Sequence, residues 1–315
     1  MWQSLRRALL VALGHGLLGS STGAYGQACC GPPSVSLAGT ERGVDPATPV
    51  NLTVAYSFTR FTRAAKAATT VPDPLNRRAL SHLWRVEAEF TILRDWAIVA
   101  SLPFALKERS FRVDTLSTVY RAAGVGDAMV LLKRALRPSN PLAPWDIAIG
   151  IGVKAPTGSS DQERAGVRLP RDLQPGSGTW EALGWGFITA MFPEPLLSHA
   201  VSALVRVPLQ ADVLGYRTGA EVQALLSSSW LDAPLPWLVP SLGVRLRSTS
   251  SDRFNGQPLP ATGGLWIDVV PSCTLLSSPF AARLQAVLPV FWRTNGIQLM
   301  HTWGIAAEVR WSWQP

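Results

Sequence analysis

The chain alternates. Near its end Trp303, Ile305, Ala307, Val309, Trp311 and Trp313 are apolar, while Gly304, Ala306, Glu308, Arg310 and Ser312 between them are small or polar. A period of two puts these sets on opposite faces of a strand, whereas a helix would mix them around its surface. Trp84, Val86, Ala88, Phe90 and Ile92 alternate in the same way with Arg85, Glu87, Glu89 and Thr91, and Trp145, Ile147, Ile149, Ile151 and Val153 with Asp146, Ala148, Gly150, Gly152 and Lys154. Marked by period and breaker residues, the pattern predicts about twelve strands, with ten to fourteen as its bounds. They cover 50–62, 80–93, 95–107, 119–135, 144–156, 178–191, 197–209, 216–230, 237–249, 263–276, 280–293 and 298–313.

The connections sort into two kinds. Short, mostly Pro-rich ones fall at Arg94-Asp95, Pro138 to Pro144, Pro193 to Pro195, Asp232 to Pro236 and Ser277 to Pro279. Mostly longer, polar ones fall at 63–79, 108–118, 157–177, 210–215, 250–262 and 294–297. The two kinds alternate strictly. That order predicts an all-β chain, a transmembrane antiparallel β-barrel with short periplasmic turns and long extracellular loops. A soluble secreted β-sandwich has no reason to keep it.

The N-terminus changes the setting. Arg6 and Arg7 precede the apolar run Ala8–Leu18, and small residues follow at cleavage spacing. Residues 1–28 therefore read as a signal peptide cut near Gly26 or Ala28, residues 29–49 as a periplasmic tail, and 50–315 as the barrel in a bacterial outer membrane. Charged residues make up 16% of the chain, below the roughly 25% of soluble domains. The formal charge of +8 comes without a basic helix or zinc spacing, so outer-membrane lipid, and not nucleic acid, is the expected anionic partner. The terminal strand is the expected handle for the barrel-assembly machinery. Of the three cysteines, Cys273 falls in a strand, and Cys29 beside Cys30 is a candidate for lipid attachment behind a poor lipobox.

The chain has 13 Trp. Trp96, Trp145, Trp230, Trp237, Trp311 and Trp313 sit beside short turns or the C-terminus, and Trp84, Trp180, Trp266 and Trp292 beside long loops. Two rings of this kind predict interfacial girdles; Trp185 alone sits clearly mid-strand. The face opposite the apolar one carries Arg85, Lys154, Arg206, Arg245, Arg247, Arg283 and Arg310 with Glu87, Glu89, Asp127, Asp146, Glu221, Asp268 and Glu308. The signs balance. These charges either stiffen the wall as ion pairs or contact a solute, and Arg245, Arg247 and Arg283 are a candidate anion site.

Catalysis has little to rest on. Ser198, His199 and Ser202 lie together in sequence, but no oxyanion-hole signal accompanies them. No cofactor or metal motif occurs. Three Gly motifs remain: Gly124-Val125-Gly126-Asp127, the run Gly150 to Gly158 reading Gly-Ile-Gly-Val-Lys-Ala-Pro-Thr-Gly, and Leu173-Gln174-Pro175-Gly176-Ser177-Gly178-Thr179-Trp180. Read physically they permit bends at a barrel rim. In this order they resemble the outer-membrane protein family named after the meta-pathway of phenol degradation, over about Gly124 to Gly186. The resemblance implies a transport barrel for small, aromatic or otherwise hydrophobic solutes. Two other functions compete: a non-conducting scaffold with a charge-plugged lumen, and an enzyme acting on lipid.

Overall fold

The computed structural model describes residues 38–113, 116–136, 143–193 and 196–313. The signal segment and the Cys29-Cys30 pair lie outside them. The strands are β1 Val50–Ala67, β2 Arg78–Leu93, β3 Trp96–Val113, β4 Leu116–Val125, β5 Met129–Ala135, β6 Trp145–Lys154, β7 Glu181–Pro193, β8 Leu196–Pro208, β9 Glu221–Trp230, β10 Leu238–Thr249, β11 Gly264–Ser277 and β12 Phe280–Trp313. Neighbours pair antiparallel in chain order, except that β3 pairs with β4 and β5 at different heights. β12 returns to β1, with Val50 opposite Trp313, and closes the sheet. Among the described residues there is no α-helix, and no helix is long and apolar enough to cross a membrane.

The long β12 serves two neighbours. Phe280 to Thr294 pairs with β11, and Thr294 to Trp313 pairs with β1. Nine antiparallel steps separate β1 from β11, so those two run in opposite directions. The two halves of β12 must then oppose each other, and the chain reverses near Thr294. The reversal falls at the expected connection 294–297 and is so tight that the strand pairing runs through it.

Other boundaries move for similar reasons. The connection expected at 108–118 is narrower, because β3 runs on to Val113 and β4 starts at Leu116 as its hairpin partner, the residues between lying outside the described ones. The expected strand 119–135 is broken at Gly126 to Ala128, where β4 and β5 part. We call the end bearing Val50 and Trp313 the terminal rim and the other the loop rim. At the loop rim, Tyr216–Arg217 pairs with Arg253–Phe254, tying two loops together.

Alternation sets the two faces. Leu52, Val54, Val86, Leu102 and Val309 are exposed on the outer wall, while Asn51, Thr53, Ser57, Arg85, Glu87 and Glu89 are buried inside. Val309, Val54, Val86 and Leu102 form one row across β12, β1, β2 and β3. Val86 is 57% exposed at mid-height. If lipid covers this wall, Val86→Arg costs about 2–4 kcal/mol at the midplane. Val213→Arg, on a loop residue 96% exposed, stays within about 0.5 kcal/mol. Urea refolding into lipid vesicles reads the difference; equal small effects would remove the lipid.

Candidate functional site

The interior is charged, and nearly every cation has a partner. On β2, β5 and β6 the sheet carries Glu89, Lys133 and Lys154 inward. Lys133, fully buried, donates from Nζ to Glu89 Oε1 at 2.8 Å. Lys154 Nζ lies 3.0 Å from Asp127 Oδ2 and 2.6 Å from Glu181 Oε1. Arg206 pairs with Glu221 at 2.8 Å and Arg85 with Glu87 at 3.7 Å. Arg245 binds Asp268 at 2.7 Å, and the other oxygen of Asp268 meets His301 Nε2 at 2.7 Å. Buried pairs of this kind are worth little net stability but are expensive to break, since the survivor stays buried and unpaired.

The candidate anion site does not assemble. Arg245 is occupied by Asp268, Arg283 by Glu41, and Arg247 stacks over Trp266 at 4.3 Å. Arg247 and Arg283 also line different cavities. Arg310 lines the cavity at the terminal rim and Glu308 lies inward two residues before it. The catalytic candidates separate too. Ser202 is buried and inward, whereas His199 has opposite parity on β8 and meets Phe192 edge-on.

Among the aromatic candidates, Trp84, Trp145, Trp180, Trp237 and Trp313 are exposed on the outside, and Trp96 and Trp311 partly so. Trp266 is not an interface residue. It shares the inward parity of Asp268, is 2% exposed, and donates its indole N–H to Met300 Sδ. Trp292 packs half-buried against the same cluster. A loop-adjacent Trp can face either way, and the alternation around Asp268 already points Trp266 inward.

The three Gly motifs converge. Asp127 accepts from Gly158 N at 3.1 Å through Oδ1, and from Ser177 N at 2.8 Å through Oδ2, while Lys154 also donates to Ser177 Oγ at 2.8 Å. One residue from each motif thus meets one carboxylate. Glycine is required because backbones touch: a Cβ on Gly158 would lie 2.7 Å from the carbonyl carbon of Gly126 and 2.8 Å from Gly176 Cα. This knot seats loop 155–180 in the mouth at the loop rim. There Leu169 and Leu173 pack on Ala122, and Asp172 pairs with Arg109 at 3.0 Å. Burial holds the Asp172 carboxyl above the usual range against the pull of Arg109 and Lys107. Asp252, in the loop between β10 and β11, is likewise raised by burial, against a hydrogen bond from Tyr216.

From the terminal rim the tail enters. Of the segment expected as a periplasmic tail, residues 40–44 make their contacts inside the barrel. Trp185 Nε1 donates to Thr40 O at 2.9 Å, Lys133 to Arg42 O at 3.1 Å, and Arg42 lies 3.4 Å from Glu89. Glu41 binds Arg283, and Val44 packs on Ala97 and Ala135. Sequence reasoning missed Lys133, Glu181 and the whole tail contact. The mid-strand Trp185 was the available signal, since a buried indole N–H needs an acceptor.

Two cavities remain. One of about 240 Å³ under the loop rim is lined by Lys154, Glu181, Arg206, Glu221, Arg247 and Asp252 among others. One of about 580 Å³ at the terminal rim is lined by the tail, Arg310 and a set of hydroxyls including Ser198, Ser227, Ser229, Ser241 and Ser312. Between them the inward positions are Leu183, Trp185, Ser202, Leu204, Gln223, Leu225 and Arg245, all buried. This belt, with the tail against it, narrows the lumen.

No family model matches the sequence, and no curated protein matches it. Solved structures do. The COG4313 outer membrane channel from Pseudomonas putida F1 superposes with a TM-score of 0.66 at 11% identity, over 86% of this chain and 97% of that one. The chain therefore shares the β-barrel fold of that outer-membrane protein. The porin NanC matches at 0.45 and 8% identity, over 82% of this chain and 98% of its own. A FadL homologue of Pseudomonas aeruginosa matches at 0.39 and 9%, over 88% and 95%.

Proposed function

We propose that this chain is a gated channel of the bacterial outer membrane for small hydrophilic solutes. It crosses with twelve passes, β4 with β5 counting as one and the halves of β12 as two. The carrying observation is the pair of cavities, one bordered by charged side chains and one by hydroxyls, at the two rims of the barrel, with a narrow belt and the tail between them and loop 155–180 in the mouth. An even pass number puts both ends of the barrel chain at one rim, which suits a periplasmic terminal rim, extracellular loops, and a last strand presented to the assembly machinery. The resemblance implied aromatic or hydrophobic solutes. The hydroxyl-lined cavity favours polar ones, because an apolar solute would leave those hydroxyls without water or partner. The convergence of the three motifs on Asp127 supports kinship with the phenol-degradation family, since separate rim bends would have no reason to share a carboxylate.

The scaffold reading rests on the same belt: a lumen that never opens is a stiffened wall. Purified full-length protein in a planar bilayer separates the two. A channel gives discrete conductance steps, brief or small in the wild type because the inserts must move. Silence from the wild type and from a variant lacking residues 40–46 would leave the scaffold standing.

A further inference from the structure

The outer wall carries one feature that conduction does not use. On β12, β1, β2 and β3, below the loop rim, Tyr56, Phe58, His82, Trp84, Phe104 and Trp303 form a continuous aromatic patch. Phe58 lies 5.0 Å from His82 and 5.2 Å from Trp303, Tyr56 is 5.3 Å from Trp84, and Trp84 is 5.9 Å from Phe104. Tyr56 Oη and His82 Nδ1 share a hydrogen bond at 2.8 Å, so the patch hides its own polar atoms. Directly above it, Arg60 and Arg78 border a groove of about 410 Å³ that also touches Phe58, Leu80 and Trp303. Arg60 pairs in register with Leu80, two residues from Arg78, so the two guanidinium-bearing side chains are diagonal cross-strand neighbours on the same face.

Both arginines are exposed, and neither makes an ion pair among the described residues. Glu108, the acid at the edge of this groove, is held by Arg121 at 2.7 Å. Exposed Lys66 and Arg293 lie on the adjoining ends of β1 and β12, while Arg63 turns over Trp292 at 5.4 Å and takes no part in the patch. Two unneutralised guanidiniums over an aromatic wall match a molecule with phosphate above and acyl chain below. Arginine's planar fork binds phosphate oxygens bidentately, and flat rings suit the boundary between headgroup and chain.

The geometry points to a docking site for a phosphorylated glycolipid of the outer leaflet, its phosphate on Arg60 and Arg78 and an acyl chain along Phe58, Leu80 and Trp303. The assignment of leaflet rests on the proposed outward loop rim; the binding chemistry does not. The test uses the full chain in detergent, titrated with bisphosphorylated lipid A and with the same lipid stripped of phosphate, and read by native mass spectrometry. One bound phosphorylated lipid is expected, with Arg60→Gln/Arg78→Gln weakening it by about tenfold or more per guanidinium lost. The stripped lipid should bind the wild type as poorly as the intact lipid binds the double variant. The variant's heat-dependent gel mobility checks that the barrel still forms. Equal affinity of wild type and variant, equal affinity for both lipids, or burial of the patch in a dimer that the double substitution disperses would each overturn the site. Bilayer conductance is measured on the same preparations. A silent barrel that binds the lipid removes the channel and keeps the site, and a conducting barrel that ignores the lipid does the reverse.

Discussion

Replacing Gly158 by alanine should unseat loop 155–180 and leave the barrel standing. The added methyl would meet Gly126 and Gly176 at 2.7–2.8 Å, and both obstacles are backbone. No rotamer relieves such a contact. Overpacking of a tight site costs about 1–3 kcal/mol. If the loop lifts, Asp127 also loses the Gly158 and Ser177 amides, two charge-assisted bonds worth about 1.5–3 kcal/mol each. Lys154 still faces Asp127, so the carboxylate is not orphaned and the wall keeps its pairing. Trypsin should then cut faster at Arg164, Arg168 and Arg171, and conductance steps should lengthen. Gly186→Ala is the control, since a methyl there meets nothing within 4 Å. Unchanged proteolysis in Gly158→Ala would mean that the knot does not hold the loop.

The contrast between this knot and the rest of the barrel shows what a sequence can carry. A period of two is a local property, and it assigned the inward face correctly wherever a strand was regular: Arg85, Glu87, Glu89, Arg245, Arg247 and Asp268 are all buried inside. It points Trp266 inward as well, with Asp268, and Trp266 is buried there although it stands beside a loop. The knot was visible as three motifs but not as one object. Gly126, Gly158 and Gly176 become neighbours only once the chain breaks between β4 and β5 at Gly126 and the loop folds back into the mouth. The tail was invisible for another reason. Residues 40–48 have no periodicity, and three of their contacts are carbonyl oxygens accepting from Trp185 and Lys133, which any sequence could offer; the side chains of Glu41, Arg42 and Val44 add to these only once the tail is inside.

The tail's place against the belt makes it a candidate gate, and Lys133 is where its hold can be measured. The ammonium bonds Glu89 at 2.8 Å and two tail carbonyls at 3.1 and 3.4 Å, with the Trp185 ring 4.9 Å away. Lys133→Met removes all of these and leaves Glu89, which is 4% exposed, with Arg42 at a longer 3.4 Å as its nearest ion pair. Breaking one side of a buried pair costs about 3–5 kcal/mol, whereas removing both sides is often neutral. Lys133→Met should therefore lower barrel stability by that amount in a urea titration. Lys133→Met/Glu89→Leu should recover most of it. Deleting residues 40–46 leaves the Lys133–Glu89 pair intact, so it should cost less than Lys133→Met while giving the larger rise in bilayer conductance. If the deletion leaves conductance unchanged, the belt of Leu183, Trp185, Leu204 and Leu225 closes the lumen without help, and the tail is ballast rather than a gate. If the double variant stays as unstable as Lys133→Met, the loss lies in the tail carbonyls and not in an orphaned carboxylate.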